Sequence, residues 1–91
     1  MSITVRLSTP FREITGGKSE LEAEGANLTE LFDAIERTAP GFLEMVFEQD
    51  GRVHEHAHVF VNGEDYRSLG GLSTSIKDGD VVSVLFAISG G

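Results

Sequence analysis

The 91-residue sequence has no cysteine. That excludes a disulfide, a thiolate metal site, a cysteine nucleophile and a cysteine-bound iron–sulfur cluster, and it fits a reducing compartment. Positive charge is scarce: seven lysines and arginines face fifteen aspartates and glutamates, for a formal charge of -8. The only lysines are Lys18 and Lys77. Binding the nucleic-acid backbone needs clustered cations, so nucleic acid is not an expected partner. An acidic surface is steered instead toward a basic protein surface. No apolar run reaches the ~20 residues of a membrane span. Met1-Ser2-Ile3-Thr4-Val5-Arg6 alternates like a strand, unlike a signal peptide. No membrane is expected as a partner, and the expected location is the cytoplasm. The sequence lacks a Ser-His-Asp or Cys-His arrangement and a glycine-rich phosphate loop before a helix, so no catalytic machinery of its own is expected.

What is present describes one small folded domain. A hydrophobic fraction of 40% is ordinary for a globular chain and too high for an acidic disordered tail. Ile3, Val5 and Leu7 alternate with Thr4, Arg6 and Ser8, a half-buried strand. After the Gly16-Gly17 turn, Leu21 and Ala23 alternate with Glu20, Glu22 and Glu24, giving a second strand and a hairpin with a long connection. Asn27 reads as an N-cap with Glu30 three positions on. Leu28, Leu31, Phe32 and Ile35 then form one helical stripe. Pro40-Gly41 should stop that helix near Thr38-Ala39. Phe42 to Phe47 is either a short second helix or a packed loop.

Alternation resumes from Val53 to Val61 and predicts a strand, ended by the tight-turn signal Asn62-Gly63. Glu64 to Arg67 is expected as a short strand and Ser68 to Ser75 as a loop. Asp78-Gly79-Asp80 turns the chain into a last strand, Val81 to Phe86. This order predicts an α+β fold, one main helix across one mixed sheet with the first strand beside the last: the β-grasp pattern. The expected domain is residues 1–86, followed by a flexible tail, 87–91.

His54, His56 and His58 fall at i, i+2 and i+4, on one face of the expected strand. Strand neighbours two apart lie ~6.5–7 Å from each other, so spacing alone does not make a metal site. They are read as solvated residues, and no metal is expected.

The sequence given finishes in Ala87-Ile88-Ser89-Gly90-Gly91. Glycine has no Cβ, so such an end can thread a narrow channel. The other reading is an ordinary disordered terminus. The series Val59-Phe60-Val61-Asn62-Gly63-Glu64-Asp65, Gly70-Gly71-Leu72, Ile76 through Val82 and the Gly90-Gly91 end resembles the ubiquitin-like sulfur carriers of the MoaD and ThiS family, most nearly its cysteine-biosynthesis branch. Two positions depart from the family's habit: Phe86 stands where proline is common, and Ile88 is bulkier than the usual residue before Gly-Gly.

The resemblance implies that Gly91 carries the working carboxylate, with Ala87, Ile88, Ser89 and Gly90 as its tail. A separate ATP-dependent activating enzyme would adenylate the carboxylate. A sulfur donor would then displace AMP to leave a thiocarboxylate. No cofactor would be bound by the chain itself. The implied partners are that enzyme, a sulfur-accepting synthase of the pyridoxal-phosphate type and a metalloprotease that releases the product. Ordering five tail residues costs on the order of 5–10 kcal/mol of backbone entropy, so a docking face must offset it. Phe60, Leu85 and Phe86, taken as outward residues of the sheet, are the candidates for that face. The small subunit of a molybdopterin synthase, a protein modifier forming isopeptide bonds through Gly91, and a plain interaction domain are the competing readings.

Overall fold

The computed structural model describes residues 2–87. Five strands form one sheet: β1 (Ile3–Leu7), β2 (Glu20–Ala23), β3 (Ala57–Val61), β4 (Glu64–Asp65) and β5 (Val81–Phe86), in the order β2-β1-β5-β3-β4. β5 runs parallel to β1, with Val5 opposite Val82 and Leu7 opposite Val84, and antiparallel to β3. The first and last strands are thus neighbours at the centre of the sheet, and the expected β-grasp closure is present. The long hairpin connection between β1 and β2 holds a 3-10 turn, Thr9–Phe11, and the one-turn helix α1 (Arg12–Thr15).

Helix α2 (Leu28–Thr38) buries Leu28, Leu31, Phe32 and Ile35 against the sheet. The Asn27 side chain accepts the Glu30 N–H at 2.9 Å. Glu30 reaches back to the N–H of Ala26 at 3.0 Å, one residue before the cap. The open choice for residues 42–47 resolves as α3 (Phe42–Val46). Its first turn is capped by Glu36 of α2, which accepts the N–H groups of Leu43 at 2.8 Å and Gly41 at 3.1 Å. Those bonds, that from Leu43 first, hold the Glu36 carboxyl below its ordinary range. A chain of aromatic contacts crosses the core. Ring centroids are 6.1 Å apart for Phe47–Phe32, 5.4 Å for Phe32–Phe42, 5.5 Å for Phe42–Phe11 and 6.4 Å for Phe11–Phe86.

The expected strand from Val53 is corrected: β3 begins at Ala57. Val53 pairs only with Phe47, in an isolated bridge. The His54 N–H donates to the Val46 carbonyl at 2.7 Å, and the His54 carbonyl accepts the Ala57 N–H at 2.9 Å. The backbone at 54–56 is therefore committed to a turn against the end of α3. The expected strand at Glu64–Arg67 is likewise shorter, because Asp65 accepts the Arg67 N–H and starts a 3-10 turn, Tyr66–Ser68.

Gly25 joins β2 to α2 with no room to spare. A Cβ there would lie 2.6 Å from the Leu31 backbone nitrogen and 2.9 Å from its Cα. Main chain cannot swing aside as a side-chain tip can. Gly25→Ala is expected to destabilise the domain by about 2–3 kcal/mol, the upper part of the range of about 1–3 kcal/mol usual for overpacking. Gly51→Ala is the contrast: its φ of +90 makes it mildly unfavourable, but the site is open. Thermal unfolding of the two variants should rank Gly25→Ala as clearly worse.

Candidate functional site at the end of the last strand

Two motifs separate in sequence meet where β5 begins. Asn62 (φ 52) and Gly63 (φ 85) form the tight turn between β3 and β4, both in the left-handed region that a type I′ hairpin needs. The Asn62 side chain spans to the other motif. Its amide donates to Asp80 Oδ1 at 3.1 Å and its oxygen accepts the Val81 N–H at 2.9 Å. Asp80 is buried at 6% exposure. It also accepts the Lys77 N–H at 2.8 Å, and the Lys77 Nζ lies 3.4 Å away. The Lys77 N–H is the largest cause holding its carboxyl below the usual range, with the Asn62 amide next. The start of β5 is thereby pinned by a buried carboxylate at the end of the Asp78-Gly79-Asp80 turn.

A carboxyl depressed in the folded state stabilises above its unfolded value and loses that contribution as pH falls through the folded one. Asp80→Asn is expected to lower stability by about 1–2 kcal/mol at neutral pH. The gap from the parent should shrink below aspartate's ordinary value of about 3.9. Urea unfolding midpoints measured at neutral and acid pH read both effects. Asp65, paired with Arg67, is held at about 2 and adds to acid sensitivity in the same direction.

The other end of β5 carries the tail. Val82 and Val84 point into the core, and Phe86, on the same parity, packs its half-buried ring there too. Leu85, 38% exposed, lies on the opposite face. It is opposite His58 in the ladder, and Phe60 is opposite Ser83. The structure therefore brings Phe60 and Leu85 onto one outer face and separates Phe86 from them. The expected outward placement of Phe86 is corrected, because strand alternation forces it inward beside Phe11 and His54. Arg6, paired with Glu20 at 3.2 Å, shares the outer face through its register with Ser83.

The histidines do not form a row. His58 is in β3, while His54 and His56 sit in the preceding turn, their rings 5.3 Å apart. His54 Nδ1 accepts the His56 N–H at 3.1 Å. Ala87 is exposed, and its N–H donates to the His56 carbonyl at 2.9 Å, one rung beyond β5. Ile88, Ser89, Gly90 and Gly91 lie outside the described residues. Among the described residues, no helix is long and apolar enough to cross a membrane.

Comparison with known proteins gives the site its context. The profile of the ThiS family matches residues 5–91. The sulfur carrier protein CysO of Mycobacterium tuberculosis is 37% identical over 93 aligned residues, covering all of both chains. CysO in the Amycolatopsis orientalis BexX/CysO complex superposes with a TM-score of 0.89 at 37% identity, over 98% of this chain and 99% of the other. Small archaeal modifier protein 3 of Haloferax volcanii is 32% identical over all of both chains. This chain therefore belongs to the ThiS family and is a homologue, along the whole sequence, of the sulfur carrier protein CysO.

Proposed function

We propose that this sulfur-carrier homologue loads its sulfur at the carboxylate of Gly91 and passes it on in cysteine biosynthesis. The observation that supports this best is the 37% identity to CysO with complete coverage of both chains. A carboxylate is anionic and resonance-stabilised, hence a poor electrophile. A separate activating enzyme would join it to the AMP of ATP, releasing pyrophosphate. Sulfide sulfur would then add to the acyl carbon and expel AMP, leaving a thiocarboxylate. The more polarizable sulfur becomes a nucleophile toward an acceptor held by a pyridoxal-phosphate synthase. A metalloprotease would then free the finished product from Gly91.

In this reading the chain supplies a carboxylate and a shape. Gly90 and Gly91 keep the approach slim. Phe60 and Leu85 are the proposed docking residues, and the net charge of -8 favours a basic rim on the partner. Phe86 serves the body rather than the interface.

Incubation with the cognate activating enzyme, ATP and sulfide, followed by intact-mass measurement, tests the proposal. The expected product exchanges one C-terminal oxygen for sulfur. An unchanged C-terminus with a competent enzyme would overturn it. A second reading, conjugation to lysine amines, is favoured by the 32% identity to an archaeal modifier protein. It predicts adducts joined through Gly91 when other proteins are present.

A further inference from the structure

The last two described residues are held from both sides, on one by a side-chain hydroxyl in place of a ladder carbonyl and on the other by a rung just before β3. On the β1 side, the Ser8 N–H donates to the Val84 carbonyl at 3.3 Å. A regular parallel ladder would next have the Ser8 carbonyl accept the Phe86 N–H. That carbonyl is unavailable in this role, because the chain enters the Thr9–Phe11 turn and it accepts the Phe11 N–H at 3.0 Å. The Ser8 hydroxyl takes its place and accepts the Phe86 N–H at 2.9 Å. On the β3 side, the His56 carbonyl accepts the Ala87 N–H.

His54 supports that second contact. Its backbone bonds to Val46 and Ala57, and its Nδ1 holds the His56 N–H. Its ring also lies 5.1 Å from that of Phe86, whose other ring neighbours, Phe11 and His56, are each 6.4 Å away. Four residues thus surround the root of the tail: Ser8, Phe11, His54 and His56.

We propose that Ser8 and His54 are positioning residues that fix where the C-terminal segment leaves the sheet, so that an activating enzyme meets Gly91 within a set distance of Ala87. This rests on the sulfur-loading reading for its purpose, not for its structural content. Each residue acts through the backbone of Phe86 or Ala87. With the root held, four residues remain beyond Ala87, and they span at most ~14 Å. A loosened root lengthens the effective tail, and a partner must then order more chain on binding.

Amide hydrogen exchange on the full chain tests the structural part. Ser8→Ala should speed exchange at Phe86 about five- to tenfold, with Val82 and Val84 unchanged, as expected for one lost hydrogen bond. Ser8→Thr, which keeps the hydroxyl, should restore protection. His54→Leu should speed exchange at Ala87 in the same way. Unchanged exchange at Phe86 in Ser8→Ala, or an equal rise at Val82 and Val84, would overturn the proposal.

Steady-state loading by the cognate enzyme tests the functional part. Ser8→Ala should raise KM several-fold with kcat retained, and Ser8→Thr should restore KM; unchanged KM would overturn the positioning role. If the parent chain accepts no sulfur at all, the loading reading fails, while the exchange experiment still decides whether the root is held.

Discussion

Removing Gly91 is expected to abolish sulfur loading while leaving the unfolding transition where it was. The truncated chain still ends in glycine and still carries a carboxylate of the same chemistry. What changes is reach, by one residue or about 3.4 Å. Reacting groups must sit within about 3–3.5 Å of each other and in line, and a displacement of 1 Å can cost about 100-fold in rate. The deletion therefore separates position from chemistry. Gly91→Ala makes the complementary test, keeping length and carboxylate but adding a Cβ, and should load far more slowly than the parent. The fold is expected to be indifferent to both, since the buried core runs from Ile3 to Val84. Intact mass after incubation with the activating enzyme reads the first effect and thermal unfolding the second. Full loading of the truncated chain would show that Gly91 is not the acceptor.

The second large effect lies in the core. Phe42→Ala is expected to cost about 4 kcal/mol. Phe42 is fully buried and stands between Phe11 and Phe32, so its removal opens a cavity at the middle of the aromatic chain. Phenylalanine-to-alanine changes in cores cost about 3–5 kcal/mol. A domain of this size has roughly 5–14 kcal/mol in total, so the variant would sit near the edge of folding. Urea unfolding should show the midpoint fall with its slope unchanged. Phe42→Leu, which refills most of the volume, should recover most of the loss. A cost for Phe42→Ala below about 1 kcal/mol would mean that the surrounding rings collapse into the gap.

These outcomes follow from features of unequal legibility. The helix cap at Asn27, the stripe from Leu28 to Ile35, the Asn62-Gly63 turn and the strand after Asp80 are local signals, written in residues a few positions apart. They were readable in sequence, and with them the order that defines the sheet. The false start of β3 at Val53 has the opposite origin. Alternation at 54–56 matches a strand, but the competing partner is the Val46 carbonyl at the end of α3, which no local pattern announces. The outward expectation for Phe86 fails because β5 carries apolar residues on both faces, although the parity of Phe86 with Val82 and Val84 carries the answer. Asp80 reads as one more turn acidic residue until Asn62, eighteen positions away, is seen to bond it. Ser8 was invisible as a site residue, since its partner Phe86 lies 78 positions along the chain.

The central, parallel placement of β1 and β5 has a mechanical consequence. A partner that tugs on the C-terminal segment pulls β5 along its own length. The hydrogen bonds to β1 and β3 lie across that direction, so the tension shears both ladders at once and does not unzip them rung by rung. Bonds strained together must yield together. The body can therefore stay folded while β5 is under tension.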